Sequence, residues 1–146
     1  MTAPAHIERI VIAEAASWWV RAEHLLIVAI VSALALWHAG DIAWVRFVAA
    51  FVVIDLIGYL PGAIAFHRSR RGAISRVYYL LYNVTHNYVV AGAAVALWAL
   101  AIGHLEWAMA AVPIHLSGDR GLFGNFAKDP AAPFEHGAAP SPAAAP

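Results

Sequence analysis

The sequence predicts an all-α membrane protein: four transmembrane helices, preceded by a cytoplasmic amphipathic N-terminal helix and followed by an extended Pro/Ala-rich C-terminal tail. Composition, apolar runs and arginine placement carry that reading. Hydrophobic residues make up 62% of the 146-residue chain and charged residues 12%, about half the charge of a soluble domain. Apolar runs near the roughly 20 residues needed to cross hydrocarbon recur four times. Arginine concentrates in one connection, HRSRRGAISR, at Arg68, Arg70, Arg71 and Arg76.

Residues 1–22 read as the amphipathic interfacial segment. Ile7, Ile10, Val11, Ala15 and Trp18 recur at helical spacing opposite Glu8, Arg9 and Glu14, the pattern of a helix lying on a membrane surface. Charges through its middle argue against a cleavable signal. Residues 23–128 form the four-helix domain. Its spans are expected over Glu23 to Trp37 or His38, Trp44 to Phe66, Val77 to about Ile102, and Leu105 through Pro113 and His115 to about Phe126. The arginine loop is cytoplasmic by the positive-inside rule, and an even number of spans puts both termini on that side. Residues 129–146 are low-complexity Pro/Ala sequence, read as a tail with no means of burying a core.

Composition also excludes. Without cysteine there is no disulfide, thiolate metal site or cysteine nucleophile, so any metal must be held by His, Asp, Glu or Asn. A formal charge of zero gives no reason to expect nucleic acid as a partner; the lipid bilayer is the expected surrounding.

Polar residues inside the spans are where function is expected. Asp55 sits mid-way along the second span, with Tyr59 one turn on and Gly58 and Gly62 four apart, a spacing that lets another helix approach closely. In the third, Tyr79, Asn83, His86 and Asn87 are offset by four, three and four, one stripe of a continuous helix, with Tyr82 beside it. In the fourth, His115 and Asp119 are four apart with Arg120 adjacent. Counted from the arginine-loop ends at about 1.5 Å per residue, Asp55, His86 and His115 lie about 14–16 Å deep and Asp119 about 10 Å. The depths predict one buried cluster of Asp55, His86, His115 and Asp119, with Glu23 and His24 closing it and Arg120 and Lys128 placed to hold an anionic head group. Two imidazoles and two carboxylates suit a divalent metal such as Zn, Fe or Mn.

The succession DLIGYLPG (55–62), YNVTHNY (82–88) and HLSGDRGLFGNFAK (115–128), after a helix start with Glu23, resembles an uncharacterised family of small bacterial integral membrane proteins, the domain-of-unknown-function 4260 family. The resemblance covers about residues 21–136. It places the family pattern on Asp55, Gly58, Tyr59, Tyr82, Asn83, His86, His115, Asp119, Arg120 and Lys128. The chain departs from the pattern in lacking a proline soon after His86 and in the glycine placement of GLFGNF. The resemblance implies a multi-pass protein of the bacterial inner membrane and supplies no activity.

Two functions stay open. One is a membrane-embedded enzyme, metal-dependent or acid/base, on a lipid-soluble substrate, with His86, Asp119 and Asp55 catalytic, His86, His115, Asp119 and Asp55 as metal ligands, and Glu23, Tyr59, Tyr82, Asn83, Asn87, Arg120 and Lys128 in support. The other is a non-catalytic accessory subunit of a larger respiratory or photosynthetic membrane complex, contacting other membrane subunits or further copies of itself, with a histidine on haem or pigment. Conduction is disfavoured, because residues 92–101 offer no polar side chain to continue a path.

Overall fold

The structure, a computed structural model, describes residues 3–69 and 73–135, with side chains from residue 17 onward. The amphipathic pattern of residues 7–16, Arg70, Arg71 and the Pro/Ala stretch 136–146 lie outside what it describes. Every regular element among the described residues is helical. Two helices are long and apolar enough to cross a membrane, three if a bent pair counts as one span.

The first helix, α1 (Ala3–Trp37), is continuous. Its backbone passes from the segment read as interfacial into the apolar run without a break, and Ser17–Trp37 is long and apolar enough to cross. The intervening charge, Arg21, is tied down: its Nε and Nη2 donate to the carbonyls of Gly121 and Leu122 at 3.3 and 3.2 Å, which removes the reason to end the apolar run there.

The second span is two helices, α2 (Trp44–Gly58) and α3 (Leu60–Arg68), joined at Tyr59, which keeps near-helical angles. Pro61 stands in the first turn of α3, where an amide hydrogen has no intrahelical acceptor to lose. Together they run 25 residues, Trp44–Arg68.

The third segment is not the single helix the spacing suggested. It divides into α4 (Arg76–Thr85) and α5 (Tyr88–Ile102), bent by 56°. Local chemistry makes the break. Thr85 Oγ1 donates back to the carbonyls of Leu81 and Tyr82 at 3.0 and 3.1 Å, a side-chain competitor of the helical ladder. Asn87 then takes an extended conformation, and its side-chain oxygen accepts from the amides of Val89 and Val90. It is an N-cap that starts a new helix.

The fourth segment, expected over Leu105–Phe126, is a composite: a 3-10 turn (Trp107–Ala110), the eight-residue α6 (Ala111–Gly118) and a π turn (Asp119–Phe123). Gly124, at φ 69°, ends it in the left-handed region that only glycine enters freely. This composite is not among the helices long and apolar enough to cross by themselves, which among the described residues number two, or three with the bent pair.

α1 packs along α6 and the π turn, while α2 packs on α4 and α6. Residues 124–135 then return as a strap over α3 and α4, which corrects the reading of 129–135 as uncommitted tail. Phe134 is wholly buried among Tyr59, Tyr79 and Tyr82, Tyr79 Oη donates to the Ala132 carbonyl at 2.8 Å, and Tyr59 Oη donates to Glu135 at 2.8 Å. The buried ring and these hydrogen bonds together hold residues 129–135 against α3 and α4. Outward-facing side chains such as Val45, Val89 and Leu100 are apolar and exposed, as a lipid environment permits and water does not reward.

Candidate metal centre

α2, α4 and α6 bring Asp55, His86, His115 and Asp119 to one place. One ligand atom from each of the four side chains lies within 4.8 Å of the other three. His86 Nε2 is 3.3 Å from Asp55 Oδ1 and 3.2 Å from Asp119 Oδ2; His115 Nε2 is 3.6 and 4.0 Å from the same oxygens. Donors around a tetrahedral ion at about 2.0–2.1 Å stand about 3.3 Å from one another; the His86 separations match that spacing and the His115 separations are wider, so His115 would have to draw in to complete a shell. Both imidazoles are buried and Asp119 nearly so, whereas the Asp55 side chain is 47% exposed and forms the open side.

Glycine makes the convergence possible. A Cβ on Gly58 would run into the Thr85 hydroxyl and stand 3.2 Å from His86 Cε1; its absence lets the end of α4 close on α2 one turn from Asp55. Gly62 does the same for the strap, since a side chain there would occupy the Phe134 ring. The two glycines of the second span thus admit two different neighbours.

The tautomer of His86 follows from its partners. Its Nδ1 lies 3.0 Å from the Tyr82 carbonyl oxygen, which can only accept, so Nδ1 carries the hydrogen and donates. In the neutral ring Nε2 is then a bare lone pair, buried beside two carboxylates. Although within ion-pair distance of both, Nε2 makes no directed hydrogen bond, and neither does either ring nitrogen of His115. Facing two carboxylates at 3.3 and 3.2 Å, Nε2 either carries a proton and pairs with them or gives its lone pair to a cation held between them. Nδ1–H on a backbone carbonyl with Nε2 turned to the ligand site is the usual posture of a metal-binding histidine. The donor set, two imidazole nitrogens and two carboxylate oxygens, therefore fits a divalent first-row ion.

Around these four the supporting residues fall into distinct places. Tyr82, fully buried, stacks on the His86 ring at 3.9 Å. Arg120 Nη2 donates to the His86 carbonyl at 3.0 Å, and its guanidinium lies 4.6 Å over Tyr88. The amide of Asn83 pairs with both backbone groups of Lys128, at 2.9 and 2.7 Å, so it fixes the strap and not the cluster. Lys128 is turned inward, its Nζ donating to the Phe134 carbonyl at 2.6 Å among the rings of Tyr59, Tyr82 and Phe134. Burial pushes its amine below the ordinary lysine value while Glu135 and Asp119 pull it back. It therefore does not face an entering head group. Asn87 caps α5, Tyr59 binds the strap, and Glu23 is exposed and outside the four-residue group. His24 is outside it too, stacked on Tyr88 at 5.8 Å.

Sequence reasoning missed Thr85, whose hydroxyl both breaks the helix and touches His86 Nδ1 at 3.0 Å, and Phe51, whose ring meets His115 edge-on at 4.7 Å. A hydroxyl residue directly before the histidine was the available signal for the first; Phe51, one turn before Asp55, was the signal for the second. Tyr88 Oη and the wholly buried Ser117 hydroxyl, bonded to each other, form a second polar contact between α5 and α6.

Comparison with protein-family profiles, curated proteins and solved structures found no match.

Proposed function

We propose that this chain is a small membrane-embedded metalloenzyme in which His86, His115, Asp55 and Asp119 hold a divalent ion, Zn, Fe or Mn, beside a lipid-soluble substrate. The observation that carries the reading is the convergence of one ligand atom from each of the four side chains to within 4.8 Å, three of the four residues buried or nearly so. Such an ion supplies Lewis-acid polarisation of a bound oxygen. The chain's own residues do the rest. Tyr82 and the Tyr82 carbonyl hold the His86 ring, Phe51 holds His115, and Asp55, the ligand on the open side, is placed to take or return a proton at its carboxylate. The arginine-bearing connection supports a reading in which the strap end lies on the cytoplasmic side of a bacterial inner membrane. The motifs that resemble the domain-of-unknown-function 4260 family include these same four side chains, which supports treating them as one unit.

The second reading, a non-catalytic accessory subunit of a larger membrane complex, is favoured by α5, which buries only Ala91 and leaves Val89, Leu97 and Leu100 outward. It is weakened by the strap, which the chain's own tyrosines hold without help. Elemental analysis of protein purified in mild detergent separates the two. The enzyme reading expects about one divalent ion per chain, lost in His86→Ala and in His115→Ala; metal-free protein that runs as part of a larger complex would support the accessory reading instead.

A further inference from the structure

The two histidines of the cluster are not held alike. His86 is fixed on its far side: Nδ1 lies 3.0 Å from the Tyr82 carbonyl oxygen and 3.0 Å from the Thr85 hydroxyl, and the ring stacks on Tyr82 at 3.9 Å. His115 is 5% exposed, yet among the described residues neither of its ring nitrogens has a hydrogen-bond partner. Its ring meets Phe51 edge-on at 4.7 Å. Its Nε2 stands 3.6 and 4.0 Å from the two carboxylate oxygens that His86 approaches to 3.3 and 3.2 Å. An outer hydrogen bond to a ligating imidazole strengthens metal binding about 10–100-fold; His86 has one and His115 lacks it. His115 also rides on α6, eight residues set between a 3-10 turn and a π turn, irregular backbone of the kind found at hinges and functional sites.

A tetrahedral shell filled by four protein ligands has no place for a substrate, and catalytic sites keep three such ligands and one exchangeable position. One of the four must therefore yield. Either carboxylate would leave unbalanced charge behind, which is costly away from water. His86 is anchored. His115 is neutral in a loaded site, lacks an anchor and already stands back.

We infer that His115 is the exchangeable ligand: it draws in to close the shell at rest and withdraws, to the separations seen here, when a donor atom of the substrate takes its place. His86, Asp55 and Asp119 stay on the ion throughout. The inference rests on the metal reading above and deepens it. One metal–nitrogen bond is exchanged for one bond to the incoming atom, and no proton need move. The entrant comes from the open side at Asp55 and must carry an oxygen or nitrogen lone pair at its polar end, so a plain hydrocarbon is not a substrate.

The test uses the full chain in detergent, with isotope-labelled histidine nitrogens, loaded with Zn²⁺ and titrated with azide as a small lone-pair donor. Nitrogen chemical shifts distinguish a zinc-bound Nε2 from an unbound one. Proton contacts to Tyr82 identify the His86 ring and contacts to Phe51 the His115 ring, while the infrared band of azide reports its binding. The expected result is that both Nε2 atoms are zinc-bound before azide is added, and that at saturation His115 Nε2 alone moves to the unbound shift. Failure to take up zinc overturns both the metal reading and this inference. Zinc uptake overturns this inference alone if azide does not bind, if it binds with both imidazoles still on the metal, if it releases His86 instead, or if His115 is unbound from the start.

Discussion

α4 and α5 are consecutive halves of one apolar run, yet α4 buries Tyr79 and Tyr82 and delivers His86, whereas α5 buries Ala91 alone and turns valines and leucines outward. The 56° bend between them falls at the residues that carry the chemistry. A straight helix would have kept Tyr79, Asn83, His86 and Asn87 on one stripe. At the break the Tyr82 carbonyl keeps its helical bond from the His86 amide at 2.9 Å and also lies 3.0 Å from the His86 Nδ1, while Asn87 turns to capping. Polar side chains in a span can thus serve two ends: they make the irregular backbone that a site needs, and they satisfy what that irregularity exposes.

The sharpest way to break the contrast is to remove the ligand at the bend. His86→Ala is expected to weaken zinc binding by at least about 100-fold, measured by chelator competition. Next is Gly58→Val, which drives a side chain into Thr85 and pushes α4 off α2. We expect a loss of about 1–3 kcal/mol in stability by overpacking and a matching loss of metal; full metal content in a folded Gly58→Val protein would show that the close approach is dispensable.

These two positions also show how far the sequence reaches. The cluster was legible because Asp55, His86, His115 and Asp119 lie at similar depth on separate apolar runs, and polar groups in such runs must find one another. The bend was not, because hydrophobic periodicity treats YNVTHNY as continuous helix, and only the competition of Thr85 and Asn87 side chains with the backbone ladder decides otherwise. The strap was not, because Pro/Ala composition hides the single ring, Phe134, that finds a seat over Gly62. Nor could spacing show that Asn83 binds the backbone of Lys128 rather than the cluster.

Smaller effects sharpen the comparison. Asn83→Ala removes both hydrogen bonds to the Lys128 backbone. It is expected to make residues 124–135 protease-sensitive and to weaken metal binding about tenfold through Tyr82, as loss of an outer contact does. Asn87→Ala should cost about 1 kcal/mol as a lost N-cap, with metal affinity within a few-fold of the natural chain. At the far end Ala96→Leu, on the exposed face of α5, should change neither thermal stability nor metal content measurably; a large effect there would mean that α5 is covered by a partner and not by lipid.

The central claim is that two imidazoles and two carboxylates converge on one ion. X-ray absorption at the zinc edge of the loaded, purified chain tests it most directly. The account predicts a first shell of nitrogen and oxygen at about 2.0–2.2 Å with outer-shell scattering from two imidazole rings, reduced to one in His115→Ala. A spectrum without imidazole scattering, or one unchanged by that substitution, would contradict it.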